Sequence, residues 1–215
     1  MNSVTLILLF FGAMLTCFAV PINQLPMYGG QHDPSVEPND EFSRDAAKHG
    51  WQAFYQGDFD TAMMRFNQAW LFNQSNPEAY WGFGLVEGKR AGEEAPEKHL
   101  KQSIRMLEMA RELDPQNGKI LGDLAFSHTL LGRHFQVHGH PHEEQFKTAL
   151  SLYTKAVELS PDYPPIWATW SVCYFYSGDY LNAKTKADQA TSMGYRFGAD
   201  YLSELNAKLV ETAEP

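Results

Sequence analysis

Histidine is the residue type that most clearly suggests chemistry in this sequence. Four of the eight histidines lie in one short segment, followed by an acidic residue: His134, His138, His140, His142 and Glu143. Imidazole nitrogens bind Zn, Cu and Ni, and residues spaced by four share one face of a helix. Gly139 and Pro141, however, interrupt a helix at this point. The segment is therefore compatible both with a divalent-metal site and with a solvated loop that holds no metal.

No other group of residues suggests catalysis. The sequence has no motif for a serine or cysteine nucleophile, no glycine-rich phosphate loop and no HExxH zinc motif. Of the two cysteines, Cys17 lies in the apolar N-terminus and Cys173 lies in the apolar stretch 170–174, where a thiol packs as a small hydrophobic group. We therefore predict that the protein is not an enzyme and binds no cofactor, unless the histidine segment holds a divalent metal.

The elements that must position these residues are predicted to be helices in four similar copies. Small and apolar residues recur at spacings of four and then three: Ala62-Phe66-Ala69, Ser103-Leu107-Ala110, Ala149-Tyr153-Ala156 and Ala183-Ala187-Ala190. This spacing puts each triplet on one helix face, and its small residues let a neighbouring helix approach closely. A small residue precedes each triplet at the place where a partner helix would cross it: Gly50, Gly84, Ala125 and Ser171. The pattern predicts four helical hairpins.

This pattern resembles that of the tetratricopeptide-repeat (TPR) family, in which Trp-x2-Leu-Gly-x2-Tyr, Ala-x3-Phe and Pro recur with a period of about 34 residues. One period separates Gly50 from Gly84 and another separates Ala156 from Ala190, while Pro115 matches the terminal proline. The resemblance implies an all-α fold, an α-solenoid of about four hairpins over residues 43–197, with a capping helix and tail over 198–215. The repeats are predicted at 43–76, 77–117, 118–163 and 164–197. The longer second and third copies predict insertions at 92–98 and 133–144, between the two helices of their hairpins.

The resemblance also implies a concave face, built from the first helix of every hairpin, that holds a peptide or a helix of a partner. The residues projected onto it are Trp51, Phe54, Tyr55, Trp81, Leu85, Lys89, Lys119, Phe126, Leu130, Val172, Phe175 and Tyr176. Aromatic side chains on a surface are unfavourable unless something covers them, so we predict that this set forms a partner-binding groove. The alternative for each aromatic residue is packing against the adjacent repeat or the N-terminal arm.

One known use of such a groove does not fit this sequence. Relatives that grip the C-terminal carboxylate of chaperones use Lys, Asn and Arg at fixed places in the groove. Those places hold Ala47, Trp51, Gly82, Lys119 and Asp123 here, and only Lys119 matches. The sequence therefore predicts a different kind of protein or peptide partner.

The N-terminus predicts export. Residues Val4 to Val20 form an almost unbroken apolar run without a charged side chain, which is typical of a secretory signal or a membrane anchor. Cys17 and Ala19 suit cleavage after Ala19, which makes residues 1–19 a signal peptide. Lipidation of Cys17 and retention as an uncleaved anchor are the alternatives. Residues 20–42 contain several prolines and a Gly-Gly pair without periodicity, and we predict a flexible arm there.

Composition narrows the class of partner. Hydrophobic residues make up 44% of the chain, which suits a folded domain, and the net charge is −9 without a Lys/Arg-rich run. Nucleic acid is therefore not expected to be a partner.

The predicted function is an exported scaffold, periplasmic or secreted and either soluble or membrane-attached, that binds a protein or peptide in its groove. The alternative is a protein that binds or senses Zn, Cu or Ni through residues 134–142, and a third interpretation is an array that forms homo-oligomers.

Overall fold

The structure, a computed structural model, describes residues 21–31, 35–93 and 95–213. Within these ranges the chain forms nine α-helices, two short 3-10 helices and no strand, which confirms the predicted all-α class. The α-helices are α1 Asp40–Tyr55, α2 Phe59–Phe72, α3 Pro77–Arg90, α4 Pro96–Leu113, α5 Gly118–Val137, α6 Glu143–Leu159, α7 Pro164–Tyr176, α8 Tyr180–Ser192 and α9 Ala199–Ala213. The predicted signal peptide lies outside the described residues, and none of the helices described is long and apolar enough to cross a membrane.

Short polar side chains set where many of these helices begin. Five helices start after a residue whose side chain accepts a hydrogen bond from a backbone N–H of the first turn: Asn39, Asp58, Asn76, Asn117 and Asp179. Such caps satisfy N–H groups that have no partner within the helix. The two shortest hairpin turns use Gly57 and Gly178, whose φ angles of 81° and 85° suit glycine. Local sequence therefore determines both the starts of the helices and the reversal of the chain.

Close helix crossings hold each hairpin together. All the residues of the four predicted triplets are buried, with at most 1% of their surface exposed. A Cβ atom on Gly50 would lie 2.7 Å from the Phe66 ring, and one on Gly82 would lie 2.4 Å from the same ring. Phe66 therefore fills the space between α1 and α3 as well as that between α1 and α2. In the second hairpin, a Cβ atom on Gly84 would lie 2.5 Å from Leu107.

Hydroxyl groups connect the helices where the crossing residue is serine. Ser103 Oγ donates to the Gly84 carbonyl at 2.7 Å, and Ser171 Oγ donates to the Ala183 carbonyl at 2.6 Å. Both serines are fully buried. A small hydroxyl thus allows close approach and also finds a hydrogen-bond acceptor on the facing helix.

The hairpins stack in chain order, so the array is a solenoid as predicted. The second helix of each hairpin packs against the first helix of the next, and α9 packs against α8 at the end of the stack. The insertion predicted at 133–144 lies between the helices of its hairpin, although most of its first part is helical. It extends α5 to Val137 and leaves residues 138–142 as the turn. The insertion predicted at 92–98 forms a turn before α4 and the first residues of that helix.

The N-terminal segment differs from the predicted flexible arm, because the structure packs residues 21–31 on α2 and α3. Asn67 is fully buried, and its Nδ2 donates to the carbonyls of Asn23 and Leu25, each at 2.9 Å. Its Oδ1 accepts from the Tyr28 backbone N–H at 3.1 Å. Arg90 Nη1 donates to the Gln24 carbonyl at 2.7 Å. Two side chains from the solenoid therefore supplement the few backbone hydrogen bonds that this segment makes within itself.

The close helix crossings predict that alanine substitutions at two glycines of α3 change the free energy of unfolding in opposite directions. Gly84→Ala should lower the free energy of unfolding by about 1–3 kcal/mol, because the added methyl group overlaps Leu107. Gly88→Ala is the matched control, since its nearest neighbour would be Ser103 Oγ at 3.5 Å, an ordinary contact. This second change should stabilise the protein by about 0.5–1 kcal/mol through helix propensity. Urea unfolding of both variants measures the difference, and equal effects would contradict the close crossing.

A second prediction concerns Asn67. Asn67→Ala should lower the free energy of unfolding by about 1–3 kcal/mol, because buried polar groups lose their partners. It should also speed amide hydrogen exchange at Tyr28. Gln68→Ala changes a neighbour whose side-chain hydrogen bond, to Arg65, is exposed, and should alter stability by less than about 0.5 kcal/mol. Unchanged protection at Tyr28 in the Asn67 variant would show that the segment is held by other contacts.

Candidate functional site

The first helices of the hairpins form the inner side of the stack. Helices α1, α3, α5 and α7 pack against one another in sequence, as expected for the shorter, concave side of a curved array. The predicted groove residues lie on or beside these four helices. Their actual surroundings divide them into a group that the structure brings together and a group that packs elsewhere.

Trp51 is the centre of an aromatic cluster on α1 and α3. Its ring lies 4.9 Å from that of Trp81 in an edge-to-face arrangement and 6.1 Å from that of Tyr55 in a stacked one. The Phe66 ring contacts the Trp51 ring in an edge-to-face arrangement, with 5.0 Å between the ring centres. Trp51 and Trp81 are half-buried, whereas Tyr55 is 79% exposed. The structure thus brings together the aromatic groove residues of the first two hairpins.

Each of these tryptophans donates its indole N–H to a carboxylate of the next hairpin. Trp51 Nε1 donates to Glu78 Oε2, and Trp81 Nε1 donates to Asp123 Oδ2 at 2.7 Å. Hydrogen bonds to charged acceptors are stronger than those between neutral groups. The two bonds therefore fix the orientation of the indole rings and link the inner helices of three hairpins.

Asp123 is the most electrostatically perturbed carboxyl group in this region. Burial raises its pKa to about 6, and the hydrogen bond from Trp81 and the positive charge of Lys89 oppose the shift only in part. The residue is half-buried rather than enclosed, so its carboxyl group is crowded by protein without being sealed from solvent. A carboxyl with this pKa changes its charge within the physiological range.

Tyr163, just before α7, faces the same space. Burial raises the pKa of its hydroxyl, and the nearby Asp123 carboxyl and Tyr55 hydroxyl raise it further. Lys119 Nζ lies 4.8 Å from the centre of the Tyr163 ring, a cation–π contact. The Tyr163 hydroxyl therefore lies within electrostatic range of residues from the first and third hairpins.

Several predicted groove residues pack differently. Phe175 contacts Tyr180 and Tyr201 of the last hairpin and the capping helix, at 5.6 Å each, rather than lining the groove. Phe54 holds the equivalent position in the first hairpin. Its ring contacts Phe59 of the following helix at 5.5 Å, but it also contacts Trp51 at 5.9 Å and so belongs to the aromatic cluster. This position lies one turn past the crossing residue, where a side chain reaches the start of the second helix.

Two further residues join neighbouring hairpins. Leu130 packs beside Leu131 against the junction of α3 and α4. The centre of the Tyr176 ring lies 5.0 Å from the Arg133 guanidinium. The Tyr176 backbone carbonyl accepts a hydrogen bond from the Gln136 side chain. The remaining predicted residues, Leu85, Lys89, Phe126 and Val172, lie on the inner helices; Lys89 is exposed and the other three are half-buried.

The histidine segment lies at the opposite end of α5, in the turn to α6. The rings of His134 and His138 are 4.3 Å apart, and His138 Nδ1 is 2.8 Å from the His134 carbonyl. His142 Nδ1 lies 3.0 Å from the His140 carbonyl, and the rings of His140 and His142 contact phenylalanines. In the part of the chain that the structure describes, no group of three or more His, Cys, Asp or Glu side chains could hold a metal ion. Metal binding through His134, His138, His140 and His142 stays a prediction, which titration calorimetry with Zn, Cu and Ni would test.

A cavity of about 600 Å³ lies away from the groove, between the N-terminal segment and helices α2, α3 and α4. Its walls contain Glu87, which is paired with Arg90 at 3.2 Å and with His99 at 2.6 Å. Arg90 also donates to Gln24 and is 3.3 Å from Asp60. Glu87, Arg90 and Asp60 are therefore already paired with one another at the wall of this cavity.

Glu78 and Tyr163 were not predicted as site residues from the sequence, and Asp123 was considered only as a mismatch to the chaperone-binding pattern. One signal was available for Asp123. It is the single charged residue in the apolar run 120–127 at the centre of a predicted inner helix. An isolated acid in such a run is either paired or functional.

Comparison with known proteins supports the fold. The sequence matches no family model and no curated protein. Among solved structures, it is similar to TTC0263, a thermophilic TPR protein of Thermus thermophilus, with a TM-score of 0.61 and 19% identity over 71% of this chain and 74% of that chain. A MamA structure aligns with a TM-score of 0.34 and 16% identity over 71% of this chain and 92% of that chain, and the fold assignment does not depend on it. The chain therefore has the TPR solenoid fold that its repeats implied.

The raised pKa of Asp123 predicts how the stability of the protein depends on pH. Its folded pKa of about 6 exceeds its ordinary value of 3.8, so the folded state binds the proton more tightly. Stability should therefore fall as the pH rises between these two values and stay lower above them. Asp123→Asn should stabilise the protein by about 1–3 kcal/mol at pH 7 and by progressively less towards pH 4.

Urea unfolding at a series of pH values checks this prediction. Asp162→Asn, at an exposed aspartate between α6 and α7, is the control and should leave the pH profile unchanged. An Asp123 variant that is less stable than the wild type at neutral pH would mean that the carboxylate is favourably paired in the folded protein.

Proposed function

We propose that this protein is an exported scaffold whose concave groove binds a peptide or an extended segment of another protein. The observation that supports the proposal best is the arrangement of Trp51, Trp81 and Tyr55. Two indole rings are held by hydrogen bonds to carboxylates, and a largely exposed phenol stacks beside them. Rigid aromatic side chains that remain partly exposed are the usual anchors of protein interfaces.

The geometry suits a linear partner better than a small molecule. The proposal is supported by a run of contacts across successive inner helices, from Tyr55 to Trp51 on α1, from Trp51 to Trp81 on α3, and from Trp81 to Asp123 on α5. Solenoids use such continuous faces to hold extended chains. Secretion or placement in the periplasm, with or without membrane attachment, is the part of the proposal that depends on the apolar N-terminal run alone.

A binding role also agrees with the state of the one described cysteine. Cys173 is buried, and burial raises the pKa of its thiol to about 11. It is therefore protonated and a weak nucleophile at neutral pH.

Homo-oligomerisation stays a prediction, and light scattering would measure it.

Selection from a library of random linear peptides tests the proposal. Peptides selected on the wild type should bind the Tyr55→Ala variant about tenfold more weakly or worse, because Tyr55 is an exposed anchor in the groove. Phe42→Ala removes another exposed aromatic of α1, which packs against Phe72 outside the groove, and should leave affinity unchanged. Fluorescence anisotropy measures both.

Two outcomes would contradict the proposal. The first is failure to select any peptide that binds the folded protein. The second is equal loss of affinity in the Tyr55 and Phe42 variants, which would show that selected peptides bind elsewhere.

A further inference from the structure

Asp123 carries a carboxylate that the described part of the chain leaves without an ion-pair partner. Its Oδ2 accepts one hydrogen bond, from Trp81, and Lys89 acts on it only at longer range. A carboxylate crowded by protein atoms is unfavourable unless a cation compensates for the lost water. The groove therefore contains a negative charge whose best partner is a positive group from outside.

Aromatic rings continue from Asp123 along the inner helices. Trp81 is hydrogen-bonded to Asp123, the Trp51 ring lies 4.9 Å from the Trp81 ring, and the Tyr55 ring stacks on Trp51 at 6.1 Å. Lysine and arginine side chains favour positions within about 6 Å of an aromatic ring centre. A long aliphatic stem would cover apolar surface while its charged end reaches the carboxylate.

Neither lysine near Asp123 forms an ion pair with it in the described part of the chain. Lys119, four residues earlier on α5, lies over the Tyr163 ring instead, and Lys89 is exposed near the end of α3. Glu78 adds a second carboxylate, bound to Trp51. The chain as a whole carries a net charge of −9, which attracts a basic partner over long range.

We propose that the groove selects basic peptides, and that Asp123 together with the neighbouring aromatic rings receives a lysine or arginine side chain of the partner. This inference depends on the proposed function, because it specifies what the groove binds. Asp123 would position and select the partner rather than take part in a reaction.

The proposal has a consequence for pH. The groups that face Asp123 are Trp81 and Lys89 from α3, Tyr153 from α6 and Tyr163 before α7. Burial raises the pKa of both phenols, so they stay neutral near pH 6. Binding of a lysine-containing peptide should therefore strengthen as the pH rises through about 6, because only the ionised Asp123 pairs with the cation.

The experiment uses the linear peptides selected on the wild-type protein, chosen to lack histidine. We expect lysine and arginine to be enriched among them. Replacing the essential lysine of a selected peptide by glutamine should weaken binding to the wild type by about tenfold or more. The same replacement should change binding to Asp123→Asn by less than about threefold, because the asparagine amide offers no charge to the lysine. The pH dependence should also disappear in this variant.

The control variant is Asp162→Asn, which should behave as the wild type does towards both peptides. Circular dichroism verifies that each variant is folded. If peptides are selected but are neutral or acidic, or if the lysine matters equally in the wild type and in Asp123→Asn, the inference is wrong while the proposed groove function stands. If no peptide is selected, the groove function itself fails.

Discussion

The close crossing of paired helices is the constraint on which this structure depends. Phe66 is fully buried between Gly50 on α1 and Gly82 on α3, and no side chain larger than hydrogen fits at either glycine without displacing its ring. One aromatic ring thereby sets both the separation of the helices within the first hairpin and the distance to the second. Gly84 and Leu107 repeat the arrangement one hairpin later.

The spacing of the inner helices in turn positions the residues of the proposed groove. Because α1 and α3 are held close together, Trp51 and Trp81 meet at 4.9 Å, and the indole of each reaches a carboxylate on the following hairpin. The same compactness crowds Asp123 and raises its pKa to about 6. The favourable packing at the helix crossings thus offsets the unfavourable burial of the Asp123 carboxylate. Binding sites often contain groups that destabilise the folded state in this way.

The sequence predicted the parts of the structure that depend on local spacing. The triplets and the position of the histidine insertion follow from helix periodicity. The contacts of individual side chains were harder to predict: Phe175 and Tyr176 form the end of the inner helix α7, where their rings contact Tyr201 of the capping helix and Arg133 of α5. The contacts of Asn67 with residues 23–28 and the pKa of Asp123 could not be predicted, because both depend on segments distant in sequence.

The indole N–H signals of the tryptophans provide the most direct measurement of the central claim, that the inner aromatic face is the binding surface. Trp51 and Trp81 donate to groove carboxylates, whereas Trp70 is buried and donates to Tyr80. In a 1H–15N spectrum recorded during titration with a selected lysine-containing peptide, the signals of Trp51 and Trp81 should shift and that of Trp70 should stay in place. Shifts confined to Trp70 or to the backbone of residues 134–142, with Trp51 and Trp81 unmoved, would contradict the account.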